Sequence, residues 1–511
     1  MSLHRFARRG WLCAVSLLFG MSAAPSPAAM PSPASVPTAR PLVALDIAGS
    51  SIAPQLQTAV RSFLGQPTDA AGLQRLATAL AGAYARSDVA IYLIDLEAID
   101  AAGRLRVKVR EGRVERLRFT GPDSGIGGRV RALAASLDRG TAPLSRKRLD
   151  RALRLIQAIP GARVEATMAP GTTPGGLEIH FHVAGDLGRF GLLLHNDGQP
   201  VTGRAQVQAT GLRNSVLRAG DQMAVQGLRG LNGQLWAMAA AYTLPLGRRG
   251  VTLDLSAVAS GSAISAYRLG SDAHGMSAGL TYPLFVSRQD WILASIGISR
   301  QSSETHFGGY RLYGESTTSL NAGLRWQRDT PRAVSNVQVK ATHSAPFAPV
   351  RISGQMAARH FTKLEAQASH DRMIGRSAAL RLRAMGQYSP DALSQADGVA
   401  LGGTGFGRAY DPATLVGDSA LAGAAELVWS AASGKGRDIQ LYGAVDAARA
   451  YYNERPLYRS GQFDLASAGA GVRVQQGPLN LDLSAHRTLI QPFPGYDAPW
   501  RVRVNVALTL P

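Results

Sequence analysis

From about residue 187 to the last residue the chain alternates apolar and polar side chains with a period of two, in one segment after another. Val251, Leu253 and Leu255 alternate with Thr252, Asp254 and Ser256; Val337, Val339 and Ala341 alternate with Gln338, Lys340 and Thr342. Leu479, Leu481 and Leu483 alternate with Asn480, Asp482 and Ser484, and the final segment runs Val502, Val504, Val506, Leu508 and Leu510 against Arg501, Arg503, Asn505 and Thr509. Gly, Asn, Asp, Ser and Pro separate the segments, and Tyr242, Tyr282, Trp291, Trp326, Tyr388, Trp429, Tyr442 and Trp500 lie mostly near their ends. A period of two belongs to strands whose two faces meet different surroundings, so this half of the chain is a succession of two-faced strands without helices.

A soluble β-sandwich and a transmembrane β-barrel both produce such alternation. Length favours the barrel. The region holds 325 of the 511 residues, and a spanning strand takes ~9–11 residues plus its connection. That makes about sixteen segments, an even number of the kind single-chain bacterial barrels have. One face of each segment is Val, Leu or Ala, and the other carries full charges such as Lys340, Arg381 and Arg383. Lipid outside and water inside would sort residues in this way, with all backbone groups paired around a closed ring. No apolar run reaches the ~18–20 residues a spanning helix needs.

The N-terminus adds context. Arg5, Arg8 and Arg9 precede an apolar stretch from Trp11 to Met21, followed by Ser22-Ala23-Ala24 and Ser26-Pro27-Ala28 as cleavage sites, so residues 1–28 read as a secretory signal peptide. Cys13 is the one cysteine of the chain, and Leu12 before it is too large for a lipoprotein cleavage site. Cleavage removes three arginines and no acid, which takes the formal charge from +20 to +17 and leaves no cysteine, excluding a disulfide framework. A cysteine-free exported chain fits the bacterial envelope. Residues 29–41, rich in Pro, Ser, Ala and Thr, read as a linker.

Between linker and strands the periodicity changes. Leu56, Ala59, Val60 and Phe63 give one helix with Gly65 at its C-terminus, and Leu73, Leu76, Ala77, Leu80 and Tyr84 give a second. Leu105, Val107 and Val109 then alternate with Arg106, Lys108 and Arg110. With a first strand at 42–47 and an extended 89–96, residues 42–113 form a β-α-α-β-β module. Residues 114–186 repeat the order: Val114, Leu117 and Phe119, then helices on Val130, Leu133, Ala134 and Leu137 and on Leu149, Ala152, Leu153 and Ile156, then strands on Val164, Ala166 and Met168 and on Leu177, Ile179, Phe181 and Val183. Two consecutive units with one element order constitute an internal repeat.

Several short motifs, weak singly, occur in a meaningful order. Glu111-Gly112 closes the first module, and Ile159-Pro160-Gly161 with Gly175-Gly176-Leu177 marks the end of the second. Asn196-Asp197-Gly198 with Thr202-Gly203 follows the first barrel segment, and Phe406-Gly407-Arg408-Ala409-Tyr410, Gly417-Asp418 and Glu426-Leu427 lie in and after a long loop, 391–417, between the eleventh and twelfth strands. This layout resembles the two-partner secretion transporters of the outer membrane, within the superfamily that joins POTRA modules to a barrel. The resemblance implies an α+β periplasmic part of two POTRA modules followed by a 16-stranded antiparallel transmembrane β-barrel at 187–511. Gly407-Arg408-Ala409-Tyr410 resembles the Val-Arg-Gly-Phe/Tyr tip of an extracellular loop that folds back into the barrel, with Ala409 in the place of glycine. Val445-Asp446-Ala447-Ala448 resembles the Phe-x-Asp-x-Gly strand of the family, whose inward aspartate receives the loop arginine. Asp446 is therefore the expected partner of Arg408, a guanidinium fork gripping a carboxylate. Two departures are that only about a dozen residues are left for the plug helix many relatives carry before the first module, and that the chain ends on Pro511 where such barrels usually end in an aromatic.

Chemical signatures are missing. The sequence has no G-x-S-x-G elbow, H-E-x-x-H helix or phosphate-binding P-loop. His180 and His182 share one strand face but have no recognisable third ligand, and the remaining histidines are scattered. The positive charge lacks the aromatic-interleaved basic module of nucleic-acid binders and is better explained by arginines facing a wet lumen. The expectation is a non-enzymatic exporter without cofactor or metal, in the bacterial outer membrane with its modules in the periplasm. It would pass an unfolded secreted partner of haemolysin or adhesin type, contact outer-membrane lipids, use the barrel assembly machinery for its own insertion, and bind no nucleic acid. An assembly factor of the same superfamily, a plain porin and a soluble envelope enzyme are the rival readings.

Overall fold

The computed structural model describes residues 40–97, 99–121, 125–138, 140–345, 351–352, 357–434, 436–456 and 459–511. The expected signal peptide and nearly all of the linker fall outside this range. The described chain forms two compact units that meet in sequence at Asp186 and Leu187, with residues 286–288 grouped with the first.

The N-terminal unit contains the same small fold twice. In the first module β1 (Ala44–Ala48), α1 (Ala53–Val60), α2 (Ala70–Arg86), β2 (Tyr92–Leu96) and β3 (Arg104–Glu111) follow in that order. In the second, β4 (Arg113–Thr120), α3 (Gly127–Ala134), α4 (Arg146–Gln157), β5 (Ala162–Pro170) and β6 (Gly176–Gly185) repeat it. In both sheets the last strand lies in the centre, parallel to the first and antiparallel to the second. Arg113 already belongs to the second module, so Gly112 is the joint. The alternation in β3 puts Leu105, Val107 and Val109 beneath α1 and α2, where Leu56, Leu76 and Leu80 are fully buried. Val130, Ile156, Ile179 and Phe181 make the corresponding core of the second module. Each such side chain contributes about 1.5–3 kcal/mol on leaving water. Asp69 caps α2 by accepting from the Gly72 N–H (2.6 Å), and Ser145 caps α4 by accepting from the Arg148 N–H (3.3 Å).

The two modules are bonded where α2 ends and α4 begins. Backbone bonds join Ala90 N–H to Leu144 O (2.8 Å) and Arg146 N–H to Asp88 O (2.6 Å). The Arg146 guanidinium donates to Ala85 O (2.8 Å) and Val89 O (3.1 Å), and Asp88 accepts from the Ser145 hydroxyl (2.6 Å) and the Lys147 N–H (3.0 Å). Partial burial pushes the Asp88 carboxyl up, but the bonds from Ser145 and Lys147 outweigh it and hold the group below the usual carboxylate range.

The second unit is a closed barrel of sixteen antiparallel strands. In order they are β7 (Gly188–His195), β8 (Gln206–Asn214), β9 (Gln222–Gly230), β10 (Leu235–Leu246), β11 (Val251–Ile264), β12 (Leu269–Val286), β13 (Asp290–Phe307), β14 (Tyr310–Asp329), β15 (Ala333–Ser344), β16 (Thr362–Ile374), β17 (Ala378–Tyr388), β18 (Ser419–Gly434), β19 (Arg437–Tyr452), β20 (Gly461–Gln476), β21 (Leu479–Thr488) and β22 (Trp500–Leu510). β22 pairs with β7 to close the ring, and a two-residue segment, Arg351–Ile352, adds to the edge of β14. The alternation maps onto the two faces. On β19, Leu441, Val445 and Arg449 point out while Tyr442, Ala444, Asp446, Ala448 and Ala450 are buried inside. Met238, Met276, Ile296, Leu324, Leu427 and Val502 belong to the exposed apolar outer surface that a lipid-embedded barrel requires. No described helix is long and apolar enough to cross a membrane.

Asp88 ionises more readily in the folded joint than in an unfolded chain. Its stabilising contribution is therefore complete above the ordinary aspartate value of ~3.9 and is lost as pH falls through the lowered folded value. Asp88→Ala is expected to remove about 1 kcal/mol of capping and to accelerate amide exchange at Lys147 and Arg148 by roughly 5-fold at pH 7. The difference from the natural protein should shrink below pH ~4. Hydrogen exchange read by mass spectrometry checks both parts.

Candidate functional site in the barrel lumen

The connection from β17 to β18 is by far the longest in the barrel, and it turns inward. It forms a small hairpin in which Val399–Leu401 pair with Leu415–Gly417, and the tip between them carries Phe406 to Tyr410. Ala409 and Tyr410 are almost completely buried, with 1% and 0% of their surfaces exposed. Room for the hairpin comes from small side chains: Ala420 and Ala422 on β18 and Ala448 and Ala450 on β19 pack against Val399, Leu401, Tyr410 and Leu415. The left-handed turn falls at Gly407 (φ +88°), and Ala409 lies outside the positive-φ residues, so alanine is accommodated in the place of the family glycine.

The tip is fixed at three points. Asp446 accepts the Gly407 N–H (2.8 Å) and the Arg408 N–H (3.4 Å), and is itself held by the Ser467 hydroxyl (2.7 Å). The Arg408 side chain passes it and donates Nη1 to Glu426 Oε2 (2.8 Å). The Tyr410 hydroxyl donates towards the carbonyls of Ala466 (2.8 Å) and Ile490 (2.5 Å) and accepts the Ala466 N–H (3.1 Å). The expected guanidinium–Asp446 pair is thus replaced by a divided grip. Asp446 sits under the turn, where two consecutive N–H groups and a hydroxyl occupy its oxygens. The longer arginine reaches the carboxylate one strand further round the wall.

Glu426 is the centre of a buried charge cluster. Besides Arg408 it accepts from Arg473 Nη1 (2.6 Å) and Nη2 (3.1 Å) and from Arg381 Nη1 (3.1 Å). Arg381 lies directly opposite Glu426 on β17. Arg473 is two strands away on β20, and it reaches across because β19 presents only Ala444 opposite Glu426. Arg473 also bonds Asp482 (2.7 Å), its direct cross-strand neighbour, and its guanidinium stacks 3.8 Å above the Tyr442 ring. Three guanidinium groups thus face two carboxylates, an excess of one positive charge, in a largely buried site. Such clusters fix geometry more than they add net stability.

The stem of the loop has its own carboxylates. Asp418, 1% exposed, accepts from Arg455 (2.7 and 2.9 Å) and from the N–H groups of Leu393 and Asn453 (2.7 Å each). Further back along the ring, Glu315 on β14 accepts the Ala396 N–H (3.1 Å), and buried Lys363 on β16 donates to Asp397 O (2.8 Å). Gly417 sits beside Asp418 with the carbonyls of Ser419 and Tyr451 3.0 Å from where a Cβ would stand.

The other predicted site residues, Glu111, Gly112, Pro160 and Gly161, belong to the modules. Glu111 accepts from the Ser51 N–H and hydroxyl (2.8 and 2.9 Å) and from the Tyr84 hydroxyl (2.7 Å), closing the first module on α1 and α2. Burial and these contacts push the Tyr84 hydroxyl well above its ordinary value. At Gly112 a Cβ would stand 2.6 Å from Leu177 Cδ1 and 3.0 Å from Ile91 Cβ, so the two modules approach through it. Pro160 and Gly161 turn the chain from α4 into β5, with the Gly161 carbonyl accepting the Asp186 N–H (2.7 Å). His180 meets Glu178 at 3.3 Å and His182 contacts Thr120 at 3.5 Å, and the described residues contain no cluster of three metal-ligating side chains. Sequence reasoning missed Arg473 as a partner of Glu426, and missed Asp397, Lys363 and Arg455.

Removing different members of the cluster should have unequal effects. Arg408→Ala leaves Glu426 compensated by Arg473 and Arg381 and frees only the tip; the barrel should assemble and show raised, noisier conductance in planar bilayers. Glu426→Ala leaves three arginines facing one another, at a penalty of about 3–5 kcal/mol; the yield of folded barrel, read by heat-modifiable migration on gels, should fall several-fold. Equal behaviour of the two variants would contradict this assignment.

Comparison with known proteins agrees with this architecture. The family described as haemolysin secretion/activation protein ShlB/FhaC/HecB matches residues 179–474. The outer membrane transporter CdiB of Escherichia coli O6:K15:H31 (strain 536 / UPEC) is 24% identical over 476 residues, which are 87% of this chain and 78% of the relative. Among solved structures, CdiB from Escherichia coli superposes with a TM-score of 0.77 at 20% identity, covering 96% of this chain and 93% of that one. CdiB from Acinetobacter baumannii gives 0.67 at 16% identity, covering 93% and 90%. BamA from Haemophilus ducreyi lacking POTRA domains 1–3 has the same fold at a TM-score of 0.53 and 14% identity, covering 93% and 100%. With more than half of its length matched by the family, and with paired POTRA modules ahead of a closed barrel, the chain belongs to the haemolysin secretion/activation family of two-partner secretion transporters in the outer membrane.

Proposed function

We propose that this transporter exports its partner as an unfolded chain and that the in-folded β17–β18 loop is the element that yields when the chain passes. The observation that carries the reading is the divided grip on the tip: Asp446 on the backbone, Glu426 on the Arg408 side chain. The polar part of the grip consists of hydrogen bonds and ion pairs that water or a passing polar chain can replace, beside the apolar seat of Ala409 and Tyr410. The family match favours export over barrel assembly.

The periplasmic modules take the first step. Each three-stranded sheet has open edges, and β5, nine residues long, is the longest strand at such an edge. An extended segment of the partner can add to an edge of this kind by main-chain hydrogen bonds, with little demand on its sequence. The arginines inside the barrel favour an acidic or polar segment next. No covalent step is required of the transporter: extension and folding of the partner outside draw the chain through, and the haemolysin or adhesin type of partner, the lipids around the barrel and the assembly machinery that inserts it are the expected company.

Deletion of residues 42–185 should leave a barrel that conducts ions in planar bilayers and no longer exports the partner. Undiminished secretion by that variant would remove the capture role from the modules, and loss of conductance would show that the barrel depends on them.

A further inference from the structure

The mature chain carries a large positive surplus, and the lumen arginines described above hold little of it. Arg381, Arg408 and Arg473 share Glu426, Arg473 also meets Asp482, Arg501 and Arg204 meet Asp411, and Arg503 meets Asp197. These carboxylates offset most of the charge inside. A different group of arginines lies on the outer face, at the end of the barrel where Gly188 opens β7. Antiparallel order puts the β14–β15 and β16–β17 turns at that same, periplasmic end.

The facing follows from the pleat. Leu320 and Leu324 of β14 are exposed on the outer apolar surface, so Trp326 and Arg328, at the next even positions, share their face. Arg328 stands opposite Ser335 on β15 and Ser335 opposite His370 on β16, with 2.8 Å between the Ser335 hydroxyl and His370 Nδ1. Cross-strand partners point the same way, so this row faces outward. One step nearer the rim Arg372 lies opposite Ala333. The turn residues Arg332 and Arg376 flank it, and the Arg332 carbonyl accepts the Met373 N–H (2.9 Å). All four arginines are exposed. Among the described residues Arg328 makes one ion pair, with Asp290 at 3.9 Å, which also accepts from Trp326 Nε1 (3.1 Å); Arg332, Arg372 and Arg376 make none.

Arg328 stands about 6–7 Å beyond Trp326 along the strand. That is the level at which a barrel passes from its apolar belt, through its aromatic girdle, to the headgroups. Ile374, 49% exposed, lies among the arginines. An indole and an apolar side chain beside guanidinium groups suit this boundary: acyl chains meet the first two, and phosphate oxygens meet the forked donors. The rim is not basic throughout, since the β20–β21 turn, Gln475-Gln476-Gly477-Pro478, carries no charge.

We propose that Arg328, Arg332, Arg372 and Arg376 form a binding site for an anionic phospholipid of the periplasmic leaflet. Their outward facing favours the lipid over an acidic stretch of the exported partner, whose path runs through the lumen. The test is native mass spectrometry of the full-length protein, titrated in turn with dioleoylphosphatidylglycerol, dioleoylphosphatidylethanolamine and a polyglutamate peptide. Phosphatidylglycerol should bind more tightly than phosphatidylethanolamine by about 10-fold or more. Arg332→Gln together with Arg372→Gln should weaken phosphatidylglycerol binding about 30-fold, at roughly 5-fold per arginine, and lysine at both positions should keep most of it. Arg376→Glu reverses one charge in a turn outside the strands and should weaken binding by a similar factor. Heat-modifiable migration checks that each variant is folded, and Arg376→Glu carries the test alone if the double variant is not. Removing the same charge from the first module, by Arg86→Gln with Arg104→Gln, should change nothing. Equal binding of the two lipids, full retention in the rim variants, an equal loss in the module variant, or preference for the peptide over the lipid overturns the proposal.

Discussion

In hydrocarbon nothing but the protein itself can pair a peptide N–H or C=O, and the architecture of the second unit follows from that constraint. Every spanning strand needs a neighbour on each side, so the sixteen strands close into a ring. Closure separates two surroundings, and the period-two sequence sorts Leu, Val and Met outward and Arg, Glu and Asp inward. The same requirement governs the loop inside the ring. Its irregular backbone cannot join the ladder, so inward side chains act as the missing strand. Asp446 receives the N–H groups of Gly407 and Arg408, Asp418 those of Leu393 and Asn453, and Glu315 that of Ala396. The carboxylates of the lumen are therefore as much hydrogen-bond partners for a displaced backbone as they are charges.

Part of this was legible from residue order. Alternation in segments such as Val502–Leu510 identified strands and faces, because a strand repeats every two residues whatever its neighbours. The two modules were legible because their helical stripes, Leu73 to Tyr84 and Leu149 to Ile156, bury one continuous face each. The loop tip was found through its likeness to a known family, and the geometry places Arg408, Asp446 and Glu426 together while assigning the guanidinium to Glu426. Periodicity says which face a residue occupies and not how far round the ring it lies, so the choice between two inward carboxylates was beyond it. Arg473 and Asp482 could have been paired, since they stand symmetrically about the Gly477-Pro478 turn. The alanines at 420, 422, 448 and 450, all inward, were a further signal that this wall leaves space for something else. Asp411 with Arg501 and Arg204 could not have been read, because 90 and 207 residues separate the partners.

The charge cluster also explains how a buried ion pair can serve a moving part. A lone Arg408–Glu426 pair would leave a naked buried carboxylate whenever the loop withdrew, and that penalty would trap the loop in place. Here Arg473 and Arg381 already neutralise Glu426 from the wall. Asp446 keeps the Ser467 hydroxyl, and Arg501 keeps the carbonyl of Gly198. Each group the tip leaves behind retains a partner, so withdrawal exposes few unsatisfied groups on the wall. The groups that lose most belong to the tip itself, and those move towards water. The balance between held and released states is then set by the apolar seat of the hairpin and a few replaceable bonds, with no single buried charge left naked, which is what a loop needs if it must exclude ions at rest and give way to a chain in transit.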